Sequence, residues 1–135
     1  AYRSSFYTGK NEYLIIGAEF KLEKSDKEVI YAKMKEHLNA RKQKQPLNFK
    51  SGGSTFKRPQ GAFAGKLIAD SGLAGYQIGD AQVSEKHCGF IINRGSATAT
   101  DIEILIDYVK QEVKRKTGYE LECEVKWIDE MAVFI

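Results

Sequence analysis

No apolar run in the 135-residue sequence approaches the roughly 20 residues needed to cross a bilayer as a helix. The opening Ala1-Tyr2-Arg3-Ser4-Ser5 also lacks the apolar stretch of a secretory signal, so a cytoplasmic protein with no membrane partner is expected. Cysteine is scarce. Cys88 and Cys123 form no CxxC and no Cys/His spacing, so no metal is expected and both thiols are read as reduced and partly buried. Acidic residues are missing from the whole stretch between Glu36 and Asp70, whereas Arg41, Lys42, Lys44, Lys50, Lys57, Arg58 and Lys66 all fall there. These cations create a local positive field in a chain whose net charge, +3, is too small to imply nucleic-acid binding by itself. A solvated helix end followed by a loop is the plain reading. Embedded Gly and Ser raise the prospect of an anion site, because exposed backbone N–H groups bind phosphate well.

What is present is enough for one domain, or one plus a short piece of another, since 42% of the residues are hydrophobic. Tyr13 to Leu22 is β-branched and aromatic with alternation at its end, which predicts a strand. Ser25-Asp26-Lys27-Glu28 reads as a capping box opening a helix from Asp26 to about Gln43, which stops before Pro46. Pro46 to Gly61, polar and punctuated again by Pro59, reads as a loop. A short helix is expected from Ala62 to Ser71, ending near Gly72. Tyr76 to Val83 and Gly89 to Asn93 read as strands, with turns at Gly79-Asp80 and Ser84-Glu85-Lys86. A second box, Thr100-Asp101-Ile102-Glu103, precedes the stripe Ile102, Leu105, Ile106, Val109, Val113, predicting a helix over Asp101–Thr117 that Gly118 closes. The alternation of Leu121, Cys123, Val125 and Trp127 predicts a last strand. Together these give an α+β domain of two layers, with helices packed on one face of a mostly antiparallel sheet.

Four segments carry a family resemblance. Ser51-Gly52-Gly53-Ser54-Thr55-Phe56-Lys57-Arg58-Pro59 resembles the serine-bearing motif of the UDP-N-acetylenolpyruvoylglucosamine reductases. Ala81 to Asn93 and Leu121 to Ile128 resemble further segments of that family, and Tyr2-Arg3-Ser4-Ser5 is similar to the tyrosine–arginine segment at the end of its flavin-binding region. The order and spacing of the four extend the likeness over nearly the whole chain. Residues 1–22 are accordingly read as the truncated end of a flavin-binding region, and 23–135 as a carboxy-terminal substrate-binding domain.

The resemblance implies a reaction. NADPH reduces FAD, the flavin passes a hydride to the enolpyruvyl group of UDP-N-acetylglucosamine enolpyruvate, and a proton completes its saturation to UDP-N-acetylmuramate for peptidoglycan synthesis. It implies Ser54 as proton donor, Glu124 as support for protonation of the enolic intermediate, and Arg3 as the cation facing its developing charge. Such roles suit the chemistry, because hydride addition leaves an electron-rich enolate that needs a positioned cation and a proton source. Lys42, Gln45, Lys57, Arg58 and His87 are the implied substrate-binding residues, with Tyr2 and Arg3 beside the cofactor. Ser54 and Glu124 should then lie near each other beside Lys57 and Arg58. Cys123 stands where many relatives have proline, and nothing upstream of Tyr2 supplies a glycine-rich FAD domain. The isolated piece is therefore expected to be colourless and inactive, with that missing domain as its partner. The competing readings are a small basic nucleic-acid-binding module, for which Phe49 and Phe56 interleave with the cations, and a purely structural domain.

Overall fold

Helix α1 covers Lys27–Lys44. Its first intrahelical bond runs from the N–H of Ile30 to the carbonyl of Asp26 at 3.0 Å, so Asp26 occupies the cap position expected of Ser25. Basic residues Arg41, Lys42 and Lys44 fill its last turn, where they complement the helix dipole. The computed structural model describes residues 5–10 and 12–127. They divide into two units, Ala1–Met34 and Lys35–Ile135, and α1 runs from the first into the second without burying a residue.

In the first unit the expected strand over Tyr13–Leu22 does not form. A strand is completed by a neighbour that takes its N–H and C=O groups, and the described residues offer this segment none. The aromatic residues around its start make a small cluster, with the rings of Phe6, Tyr7 and Tyr13 5.3–5.9 Å apart and Lys10 Nζ 3.4 Å from the Phe6 centroid.

The second unit holds the core. Strands β1 (Lys50–Ser54), β2 (Gln77–Ile78), β3 (Ala81–Val83) and β4 (Phe90–Asn93) form an antiparallel sheet in the order β1-β4-β3-β2. β1 lies inside the stretch read as a loop. Glycine and serine carry almost no strand signal, and pairing with the apolar β4 overrides their weak propensity. β2 and β3 make a hairpin across Gly79-Asp80 as expected. Gly79 has φ +52°, and a Cβ there would come within 2.7 Å of the Asp101 carboxyl group, so both backbone and space require glycine.

Helices α2 (Ala64–Asp70) and α3 (Ala99–Thr117) pack on the sheet. Ala64 and Ile68 of α2 meet Leu105, Ile106, Val109 and Val113 of α3 over Ala81, Val83 and Ile91, with Phe56, Leu73 and Leu121 closing the same core. The stripe of α3 is thus buried as its spacing predicts, and the α+β class is the one observed. Its capping box is Thr98 with Asp101, two residues ahead of the expected Thr100 box. Thr98 has the extended backbone of a cap, its Oγ1 accepts from the N–H of Asp101 at 3.1 Å, and its own N–H donates to Asp101 Oδ2 at 2.8 Å. Gly118, at φ +76°, ends the helix.

Leu121 to Trp127 is not a full strand. A single bridge joins Cys123 to Phe56, flanked by bonds from Lys57 N–H to Glu122 O and from Glu124 N–H to Thr55 O, both 2.8 Å. The neighbouring chain offers only Thr55 to Lys57 before Arg58 and Pro59 lead away from the ladder, and proline has no N–H to extend it.

Candidate active site

The serine-bearing motif is built around a bulge. Lys50 and Ser51 pair with Asn93 and Ile92, but Ser54 pairs with Phe90, so β1 carries one residue more than β4 between these points. Gly53 has φ +86°, which a side chain would strain. Bulges re-aim the residues that follow them, and Ser54 comes next, exposed at the end of the strand. Gly53 therefore serves a backbone requirement directly ahead of Ser54.

Glu124 comes to the same corner from the far end of the chain. Its N–H donates to the carbonyl of Thr55 at 2.8 Å, so Ser54 and Glu124 are held on adjoining backbone segments. Glu124 is half-buried. Beside them Lys57 makes an ion pair with Glu122 through Nζ, in addition to its backbone bond to the same residue. Arg58 is exposed and stacks its guanidinium 4.0 Å from the centre of the Phe63 ring. Both cations expected near Ser54 lie three and four residues after it, one paired with a carboxylate and one set against an aromatic face.

Lys42 and Gln45 belong to a second cluster at the end of α1. Lys86 Nζ donates to the carbonyl of Lys42 at 2.7 Å, tying that helix end to the turn after β3. Lys42, Leu47, Asn48 and Lys86 line one hollow. Its neighbour is lined by Pro46, Asn48, Phe49, Gln82, Lys86, Ile92 and Arg94 among others. The Arg94 guanidinium lies 5.0 Å from the centre of the Phe49 ring. Gln45 Oε1 accepts from Arg41 Nε at 3.0 Å, so part of its amide is already engaged.

Lys86 and Arg94 are functional candidates that the sequence reading missed. Both lie in or next to the Ala81–Asn93 motif, and only the fold brings them to the acid-free stretch 37–69. That stretch is less of a continuous cationic surface than its composition implies, because Lys57 pairs with Glu122 and Lys66 with Asp70.

His87 is held by its own turn. Its Nδ1 accepts from the N–H of Gly89 at 3.1 Å, and its ring meets Phe90 edge-on at 4.9 Å. A Cβ on Gly89 would come within 2.9 Å of the ring, and one on Gly65 within 3.3 Å. Nε2 is the ring nitrogen free of the turn bond. Tyr2 and Arg3 lie outside the described residues. Both cysteines are free thiols, and burial pushes the Cys88 thiol up. Among the described residues no helix is long and apolar enough to cross a membrane.

Comparison with known proteins bears on the whole arrangement. A model of the family described as UDP-N-acetylenolpyruvoylglucosamine reductase, C-terminal domain, matches residues 45–128. The UDP-N-acetylenolpyruvoylglucosamine reductase of Lachnoclostridium phytofermentans is 56% identical over 130 residues, 96% of this chain and 42% of the relative. That of Listeria welshimeri is 58% identical over 130 residues, 96% of this chain and 43% of the relative. The chain thus spans about two fifths of the length of these curated relatives. Among solved structures, the UDP-N-acetylenolpyruvylglucosamine reductase of Thermus caldophilus superposes with a TM-score of 0.64 at 40% identity, covering 78% of this chain and 37% of that one. The matched stretch contains the bulged strand, the whole sheet, both core helices and the Glu124 extension, and the chain belongs to the family of UDP-N-acetylenolpyruvoylglucosamine reductase C-terminal domains.

Proposed function

We propose that this chain is the substrate-binding part of a cytoplasmic flavoenzyme that reduces UDP-N-acetylglucosamine enolpyruvate to UDP-N-acetylmuramate for peptidoglycan synthesis. The observation that carries this reading is the bond from Glu124 N–H to Thr55 O, which joins the serine-bearing bulge to the carboxy-terminal glutamate at 2.8 Å. FAD, reduced by NADPH, supplies the hydride when bound. The residues described here fit the receiving side of that chemistry, and the contacts to the flavin are assigned to the part of the family's length that this chain does not span.

Addition of hydride to the enolpyruvyl double bond leaves an electron-rich carbon next to the substrate carboxylate, and a proton must reach it. Ser54 is the proposed donor. A serine hydroxyl is a poor acid in water, so it donates only to a strongly basic carbon held close, and a bulge that fixes the backbone on one side of Ser54 favours such geometry. Glu124 supports protonation of the enolic intermediate, and Arg3 faces the developing negative charge. Lys42, Lys57 and Arg58 bind the diphosphate and carboxylate of the substrate, with Lys57 exchanging its partner Glu122 for the substrate. Gln45 and His87 complete the set, His87 through Nε2.

The proposed partner is the amino-terminal FAD domain, with residues 1–22 as the end of the flavin-binding region and 23–135 as the substrate-binding domain. Leu14, Ile16, Phe20 and Leu22, all strongly exposed, supply an apolar surface for it to cover. The isolated chain should bind no flavin and oxidise no NADPH.

The test places this chain in the matching part of the L. phytofermentans reductase. Ser54→Ala should lower reduction of the UDP-sugar by roughly 10²–10⁴-fold, while flavin reduction by NADPH persists. An alanine enzyme turning over at the parent rate removes Ser54 from the mechanism.

A further inference from the structure

We propose that Thr55, through its side-chain hydroxyl, is the positioning residue that holds Ser54 and Glu124 in register for proton delivery. The inference rests on the reading that Ser54 and Glu124 carry that step. Thr55 is 3% exposed, an unusual place for a hydroxyl at the rim of a sheet. Three bonds converge on it. Its N–H donates to Gly89 O at 2.8 Å, its carbonyl accepts from Glu124 N–H at 2.8 Å, and its Oγ1 accepts from the N–H of Ile91 at 3.1 Å.

The third bond follows from the bulge. An extra residue in β1 disturbs the ladder between Ser51 and Ser54, and just beyond it a side chain serves as the acceptor for a donor of β4. Ile91 is itself 6% exposed, so an unmet N–H there has little access to water. The hydroxyl of Thr55 thus locks the end of the bulge onto β4. Ser54 precedes that lock directly, and Glu124 hangs from its carbonyl. One buried side chain fixes both proposed proton-handling residues without itself facing the substrate.

Thr55→Val keeps the shape and the two backbone bonds but removes the acceptor. Thr55→Ser keeps the acceptor. In the reductase carrying this chain, Thr55→Val should lower kcat by roughly 10- to 100-fold, the scale of a small misplacement of reacting groups. KM and the rate of flavin reduction by NADPH should hardly change, and Thr55→Ser should restore most of kcat. In a Ser54→Ala background Thr55→Val should cost little more, because the proton delivery that Ser54 and Glu124 carry together is already broken.

On the 135-residue chain alone, amide exchange at Ile91 and Glu124 should quicken in Thr55→Val and return in Thr55→Ser. Should the valine chain fail to fold, Thr55→Cys, with a far weaker acceptor, takes its place. A valine enzyme with parental kcat, a full penalty retained in the Ser54→Ala background, or unchanged exchange at both amides overturns the inference. Parental turnover in Ser54→Ala alone sinks the underlying reading instead, and the exchange data then still decide whether Thr55 anchors the bulge.

Discussion

Leu14-Ile15-Ile16 in the first unit and Phe90-Ile91-Ile92 in the second are nearly interchangeable as amino-acid strings, and their fates are opposite. The first three are 85%, 64% and 94% exposed, whereas the second three are 5%, 6% and 3% exposed. Both read as strands. Only the second has a strand on either side, β1 and β3, to take its backbone groups, and helices over its inner face to take the Ile91 side chain. A strand pattern therefore records a readiness to pair, and the pairing itself is supplied from elsewhere. The same lesson separates the helices. α3 buries Leu105, Ile106, Val109 and Val113, while α1, equally regular, buries nothing.

The contrast should be largest in core truncations. Leu105→Ala, at a fully buried position where α3 meets the sheet, should destabilise the chain by roughly 2–5 kcal/mol in urea unfolding. Ile16→Ser in the same chain should change stability by less than about 0.5 kcal/mol, since no contact is lost. Comparable costs for the two would break the comparison.

Next in size is the start of α3. Thr98→Ala should cost about 1 kcal/mol by removing the cap. Bonds from Thr98, the backbone N–H first and the hydroxyl second, hold the Asp101 carboxyl below the usual aspartate range. A carboxyl depressed in the folded state contributes stability that is complete above its unfolded value and disappears as pH falls through its folded value. Urea midpoints measured from neutral to acid pH should therefore fall late in the parent, and with a smaller acid-dependent loss in Thr98→Ala.

The smallest effect is expected at Ser71, whose buried Oγ finds no hydrogen-bond partner among the described residues. Ser71→Ala should be neutral or stabilising by less than about 0.5 kcal/mol, because no bond is broken and a buried polar atom is removed. A loss beyond about 1 kcal/mol would show that the hydroxyl is satisfied after all.

Much of the second unit was legible. The α3 stripe, the Gly79-Asp80 hairpin and β4 could be read because each is written in neighbouring residues. The capping box slipped by two positions because Thr98 and Thr100 both offer a hydroxyl ahead of an acidic residue, and only the backbone angles distinguish them. β1 was missed because Lys-Ser-Gly-Gly-Ser has no apolar alternation to read. At the site, Ser54 and Glu124 could be named from their motifs, whereas Lys86, Arg94 and Thr55 could not. Their parts depend on what lies opposite them, and Thr55 reads as a bland residue inside its motif until the bulge gives its hydroxyl a task.

By itself the sequence determined the helices, the turns and the apolar face that closes the core, since these follow from local periodicity, caps and glycine conformations. Tertiary structure alone decided which apolar segments became strands, where the bulge falls, and that Glu124 is bonded next to Ser54. Those outcomes rest on hydrogen bonds between segments far apart in the chain, and no local pattern specifies the partner of an unpaired N–H.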